Sequence, residues 1–135
     1  MESEGKRSTK KSDADAWMEE VVALSYFYDF YGELLNEHHK RIFEDYILND
    51  MSLSEIASET GISRQGVYDI VKRCSRKLHD YEEKLGLVKR FLDLRDRMTE
   101  LDRILERIAG KDTDGALREE LEALKSLAGA VRSEL

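Results

Sequence analysis

Residues 53–72 read LSEIASETGISRQGVYDIVK, and this stretch decides the fold. It holds the parts of a helix-turn-helix in register: apolar residues where two helices touch, a small residue where they cross, and a tight turn between them. Ile56, Ile62, Val67 and Ile70 supply the contacts, and Ala57 supplies the close crossing. Gly61 falls at the turn, where glycine takes a positive φ without steric cost. Ser52 with Glu55 three residues on is a capping box that starts the first helix, and Ser63 is placed to cap the second.

On the N-terminal side, Trp17, Val21, Leu24, Tyr28, Tyr31 and Leu35 recur at spacings of four and three, one apolar stripe at helical period. Asp13 or Asp15 is the expected cap of that helix. Asn36 reads as the cap of a second helix with Ile42, Phe43, Tyr46 and Ile47 inward, and Asn49-Asp50 as the break after it. On the C-terminal side, the helix that opens after Ser63 runs through Leu78 and Tyr81 to about Leu85, where Gly86 offers a stop. Phe91, Leu94, Met98, Leu101, Leu105 and Ile108 mark a further helix. Gly110 to Gly115 reads as a turn with Asp112, Thr113 or Asp114 as caps. Leu117, Leu121, Leu124, Ala128, Val131 and Leu135 mark the last helix. Each leucine seam is about three heptads long, and the short turn favours an antiparallel hairpin or short coiled coil with apolar surface left for a second copy. The expected class is all-α, with residues 1–12 a disordered tail, 13–86 the helix-turn-helix domain and 87–135 a helical extension that serves oligomerisation.

Composition narrows the functional classes. The chain of 135 residues has no proline, and 38% of its residues are charged, which favours solvent-laced helices. No apolar run is long enough to span a bilayer, and no apolar leader segment precedes the first helix. The single cysteine cannot form an internal disulfide, and a cytoplasmic location is expected. The net charge of −7 works against simple attraction to duplex DNA. The charge is unevenly spread: residues 13–50 hold ten acids and two bases, whereas residues 63–79 hold five bases and one acid.

Ser63, Arg64, Gln65, Tyr68, Lys72, Arg73 and Arg76 are the candidate nucleic-acid contacts. Arg64 and Gln65 stand at the start of the recognition helix, where side chains reach base edges; Lys72, Arg73 and Arg76 suit phosphates. The competing reading is a solvated face whose charges pair with the acidic N-terminal helices. In YFYDFY (26–31), Phe27, Tyr28 and Tyr31 are assigned to the core, while Tyr26 and Phe30 lie four apart on another face as a candidate partner surface. His38 and His39 are adjacent, point apart on a helix, and have no completing ligands, so no metal is expected. Cys74 follows Ile70 and Val71 on the inward face and reads as a core residue. There is no Gly-rich phosphate loop and no paired-carboxylate constellation, so neither enzyme activity nor a cofactor is expected.

LSYFYDFYGELL (24–35), LSEIASETGISRQGVYDIVKR (53–73) and KLHDYEEKLGL (77–87) resemble the YlxM family of bacterial helix-turn-helix proteins, themselves similar to region 4 of sigma factors. The resemblance covers roughly residues 17 to 92. It implies a sigma-region-4-like helical bundle and suspected DNA binding. It also implies a part in the bacterial signal recognition particle pathway, beside whose GTPase genes the family's genes tend to lie. Gly66 departs from the alanine usual there, and Asn36-Glu37-His38-His39 from a Thr/Ser-rich start. Two functions stay open: an accessory regulator that meets the targeting GTPase or its RNA, and a dimeric DNA-binding transcriptional regulator.

Overall fold

The computed structural model describes residues 12–135, and the expected tail lies outside them save for Ser12. Among the described residues there are six α-helices and no strand: α1 (Asp13–Tyr31), α2 (Glu37–Ile47), α3 (Leu53–Thr60), α4 (Arg64–Leu85), α5 (Leu87–Lys111) and α6 (Arg118–Ser133). The protein is all-α. It divides into two compact units, one ending at Gly86 and the other spanning Leu87–Leu135.

In the first unit, α4 is the central strut and packs against α1, α2 and α3. Its inward face is Val67, Val71, Cys74 and Leu78, spaced four, three and four, all buried. They meet Leu24 and Tyr31 of α1, Ile42, Phe43 and Ile47 of α2, and Ile56 of α3 in one apolar interior. Local chemistry sets each boundary. The Ser52–Glu55 capping box is formed in both directions, Ser52 Oγ accepting from Glu55 N and Glu55 Oε1 from Ser52 N, each at 3.1 Å. Gly61 closes α3 at φ 76°, Gly86 closes α4 at φ 62°, and Asp50 takes φ 54° at the break before α3. Asn36 caps α2, its Oδ1 accepting from the backbone of His38 and His39.

Several expectations are corrected. α1 is capped by Ser12, whose Oγ accepts from Asp15 N at 3.1 Å; Asp13 and Asp15 instead occupy the first turn, favourable beside the positive helix end. The stripe from Trp17 to Leu35 is not one helix, because α1 ends at Tyr31 and a 3-10 turn, Gly32–Leu34, redirects the chain. Glycine suits that turn: a Cβ at position 32 would lie 2.9 Å from Cε1 of Tyr28 and force its ring to shift. Trp17, assigned to the inward stripe, is 48% exposed. Phe27 is half-buried with its ring edge-on to His79, and Leu34 is exposed.

The second unit is a hairpin in which α5 packs on α6. Gly110 lies inside α5 rather than in the turn, and none of Asp112, Thr113 or Asp114 is the cap of α6; that position is Leu117. Asp112 still contributes, since its carboxylate accepts the Leu117 N–H at 3.1 Å. The hairpin core is Leu105, Leu121 and Ala128, with Met98 and Ala109 packed against it. The seams are not buried along their length: Leu94, Leu101, Ile108, Leu117, Leu124, Val131 and Leu135 are exposed.

Candidate nucleic-acid interface

The four buried positions of α4 leave the opposite face to solvent. Gln65, Asp69, Lys72 and Arg76 recur there at four, three and four residues, with Tyr68 and Arg73 on either flank, and all six are exposed. Ser63 precedes the helix as its cap: its Oγ accepts from Gly66 N at 3.0 Å, so the hydroxyl is already used in holding the helix start. Arg64 is the first helical residue, where recognition helices meet base edges. Gln65 donates from Nε2 to Asp69 Oδ1 at 3.0 Å, an i,i+4 bond that orients its amide. Lys72 lies over the Tyr68 ring, Nζ 5.5 Å from its centroid, and donates to Tyr68 Oη at 3.4 Å. The helix start is tight. Gly66 faces Ile62, and a Cβ there would lie 2.7 Å from Ile62 Cγ2. Glycine at 66 is therefore matched to a β-branched neighbour with little rotamer freedom.

The cations do not pair with the acidic helices. Among the described residues, Arg64, Arg73, Arg76 and Lys77 form no ion pair; α4 meets the acids of α1 instead through His79, whose Nε2 lies 2.7 Å from Glu20 Oε1. Lys77, outside the seven candidate contacts, is exposed one helical turn after Arg73. Both reach His39 electrostatically: burial foremost, then Arg73, His38 and Lys77, hold that imidazole below its ordinary pKa. Cys74 is buried under the same helix with its Sγ 3.8 Å from the His39 carbonyl, and burial pushes its thiol up to about 11. Such a thiol is unreactive at neutral pH.

The aromatic segment is structural on one side and exposed on the other. Tyr31 is buried and donates to Glu82 Oε1 at 2.6 Å, tying α1 to α4; Tyr28 donates to Glu44 Oε2 at 2.5 Å, tying α1 to α2. Phe30 is exposed and tilted against Tyr31, while Tyr26 is half-buried. No helix is long and apolar enough to cross a membrane, and no cluster of three metal-ligating side chains occurs, among the described residues.

A capped short helix, a glycine turn and a long second helix with a solvent-facing cationic side define a helix-turn-helix protein. The chain belongs to the helix-turn-helix family described as YlxM / p13 like, UPF0122, whose profile matches residues 18–116. A UPF0122 protein of Thermoanaerobacter sp. (strain X514) is 43% identical over 96 residues, covering 71% of this chain and 82% of that protein. One from Bacillus velezensis is 39% identical over 107 residues, covering 79% and 97%. One from Clostridium kluyveri is 50% identical over 72 residues, covering 53% and 65%.

Proposed function

We propose that this protein is a non-enzymatic, cytoplasmic regulator that binds nucleic acid through the exposed face of α4, acting in the bacterial signal recognition particle pathway. The observation that carries the nucleic-acid reading is that Arg64, Arg73, Arg76 and Lys77 form no ion pair among the described residues, on a helix whose other side carries the buried Val67, Val71, Cys74 and Leu78. A face that served only solubility would be free to pair with the acids of α1 and α2. Arg64 and Gln65 would address base edges, and Lys72, Arg73 and Arg76 phosphates. The acidic body beside this face opposes a long bare duplex and favours a compact target shared between protein and RNA. The targeting GTPase or its RNA fits that description, and Tyr26 and Phe30 are the proposed protein-facing surface. The α5–α6 hairpin is proposed as the dimerisation element, its exposed leucines covered by a second copy.

A second reading, a dimeric DNA-binding transcriptional regulator, is favoured by the exposed start of α4 at Arg64 and Gln65. Affinity purification from a bacterial lysate, with and without ribonuclease, separates the two. Recovery of the targeting GTPase or its RNA supports the pathway reading. Recovery of specific duplex fragments, with affinity falling steeply as salt rises and Arg64→Ala relaxing sequence preference, replaces it with the second.

A further inference from the structure

The first unit has a second surface that the α4 face does not include. Where α1, α2 and α4 converge, a cleft of about 170 Å³ opens between Trp17, Tyr46 and Tyr68, floored by Val71 and edged by Glu20 and Lys72. Trp17 meets Tyr46 edge-on with ring centroids 6.0 Å apart and remains exposed. Tyr68 is likewise exposed.

We propose that this cleft receives one unpaired nucleobase of a single-stranded nucleic acid, with the adjoining phosphates held by Lys72 and Arg76. The proposal rests on the reading of α4 as the nucleic-acid face and names the form of nucleic acid it prefers. Three observations carry it. The cleft is well below the several hundred Å³ of a drug-sized site, and it suits a single ring. Three helices each contribute an aromatic side chain to its walls, and every nucleobase has a π-face that stacks on such rings. Lys72 belongs both to the cleft wall and to the cationic face that continues to Arg76, so a phosphate chain lying along α4 reaches the cleft without a break. The opposite edge fixes the orientation. Glu20, bound by His79 Nε2 at 2.7 Å, is an acid that phosphate avoids. The backbone therefore stays on the α4 side while the base points toward α1. A base inside a duplex cannot enter, because its faces are covered by its neighbours and leaving the stack costs energy.

Trp17 is the sole tryptophan, which makes it the reporter. The full chain is titrated with fluorescein-labelled oligoadenylate, and with the same strand annealed to oligouridylate. Anisotropy of the label follows binding, and unlabelled strands are used to follow Trp17 emission. The expected result is that the single strand quenches Trp17 and shields it from acrylamide while the duplex does neither. Trp17→Ala and Tyr68→Ala should each weaken the single strand about tenfold, within the range of base–aromatic stacking, and leave duplex affinity unchanged for Trp17→Ala. Circular dichroism checks folding, and Trp17→Phe, which keeps a stacking ring, restores most of the affinity should the alanine variant be unstable. Binding of either strand with Trp17 emission unchanged and Trp17→Ala neutral overturns the cleft and leaves the α4 face standing. Binding of neither form overturns both. Quenching by a leucine-rich amphipathic peptide but not by the single strand overturns the proposal in favour of a pocket for a protein side chain.

Discussion

Between Asp13 and Gly86 each α-helix buries side chains in a shared interior, whereas between Leu87 and Leu135 the hairpin core is Leu105, Leu121 and Ala128, and most of the apolar seam stays in solvent. The helix boundaries differ in the same way. α1, α2, α3 and α4 all begin at a side-chain cap, and α4 ends at a left-handed glycine. α6 begins at Leu117, which has no capping side chain of its own. The first unit is specified by agreement between local capping and global packing, the condition for one well-defined native state. In the second, two amphipathic helices satisfy each other along one edge and leave Leu127, 64% exposed, and its neighbours without cover. Exposed apolar side chains of this number are what the proposed dimerisation of the hairpin would cover.

The contrast breaks most sharply under truncation of the two cores. Phe43 is fully buried at the junction of α2 with the rest of the first unit. Phe43→Ala is expected to remove about 3–5 kcal/mol, a large share of the stability of a small domain. Leu105→Ala should fall near the low end of the roughly 2–5 kcal/mol range for leucine, since its surroundings are shallow and can collapse. Chemical denaturation followed by Trp17 emission for the first unit and by circular dichroism for total helix measures both. Equal losses would show that the hairpin core is as consequential as the helix-turn-helix core. Next in size is assembly. Replacing exposed Leu124 and Leu127 by glutamate should convert a dimer to a monomer in light scattering while the Trp17 transition is kept. A wild-type chain that is already monomeric at high concentration would refute dimerisation through the leucine seams.

The same asymmetry explains which features could be read from the residues alone. Ser52, Ser63, Gly61 and Gly86 act within three or four residues of themselves, so their roles followed from spacing. The solvent face of α4 followed from its buried face, because Val67, Val71, Cys74 and Leu78 leave only one direction for Lys72 and Arg76. Trp17 was misplaced because periodicity gives the direction of a side chain and not whether a neighbour extends far enough to cover it. The leucine seams show the same limit: a heptad identifies a face, and the partner that buries it lies outside the spacing, so the hairpin buries Leu105, Leu121 and Ala128 and leaves the rest of the seam exposed, as the spacing allowed. At the start of α1, Ser12, Asp13 and Asp15 are all competent caps in close succession, and the geometry of the first turn selected the serine. The Gln65–Asp69 bond was within reach of the i,i+4 rule and changes the site, since it constrains one of the two candidate base-reading side chains.

Capping gives a smaller and more local test. Ser52→Ala removes an acceptor from Glu55 N and breaks the reciprocal box, with an expected loss of about 1 kcal/mol. Asp112→Ala in the hairpin loses an exposed carboxylate that receives Leu117 N, and should cost about half as much or less. A larger loss at Asp112 would show that the hairpin turn, and not its core, holds the second unit.

The smallest effect is absent at neutral pH and belongs to the first unit alone. Burial raises the Cys74 thiol from 9.0 to about 11. Burial, with the bond to Glu44, raises the Tyr28 phenol above its ordinary 10.0. Both groups favour the proton in the folded state, so their contribution is complete below the unfolded values and is lost as pH rises through the folded ones. Stability of the first unit should therefore be flat near pH 7 and decline from about pH 9 upward. Cys74→Ala should flatten the early part of that decline and Tyr28→Phe the later part, each compared with its own stability at pH 7. A disulfide-exchange reagent should label Cys74 only as fast as the first unit opens, and far more slowly than it labels the denatured chain. Rapid labelling of the folded protein would mean that α4 separates readily from α2, and would undo the distinction between a closed first unit and an open hairpin.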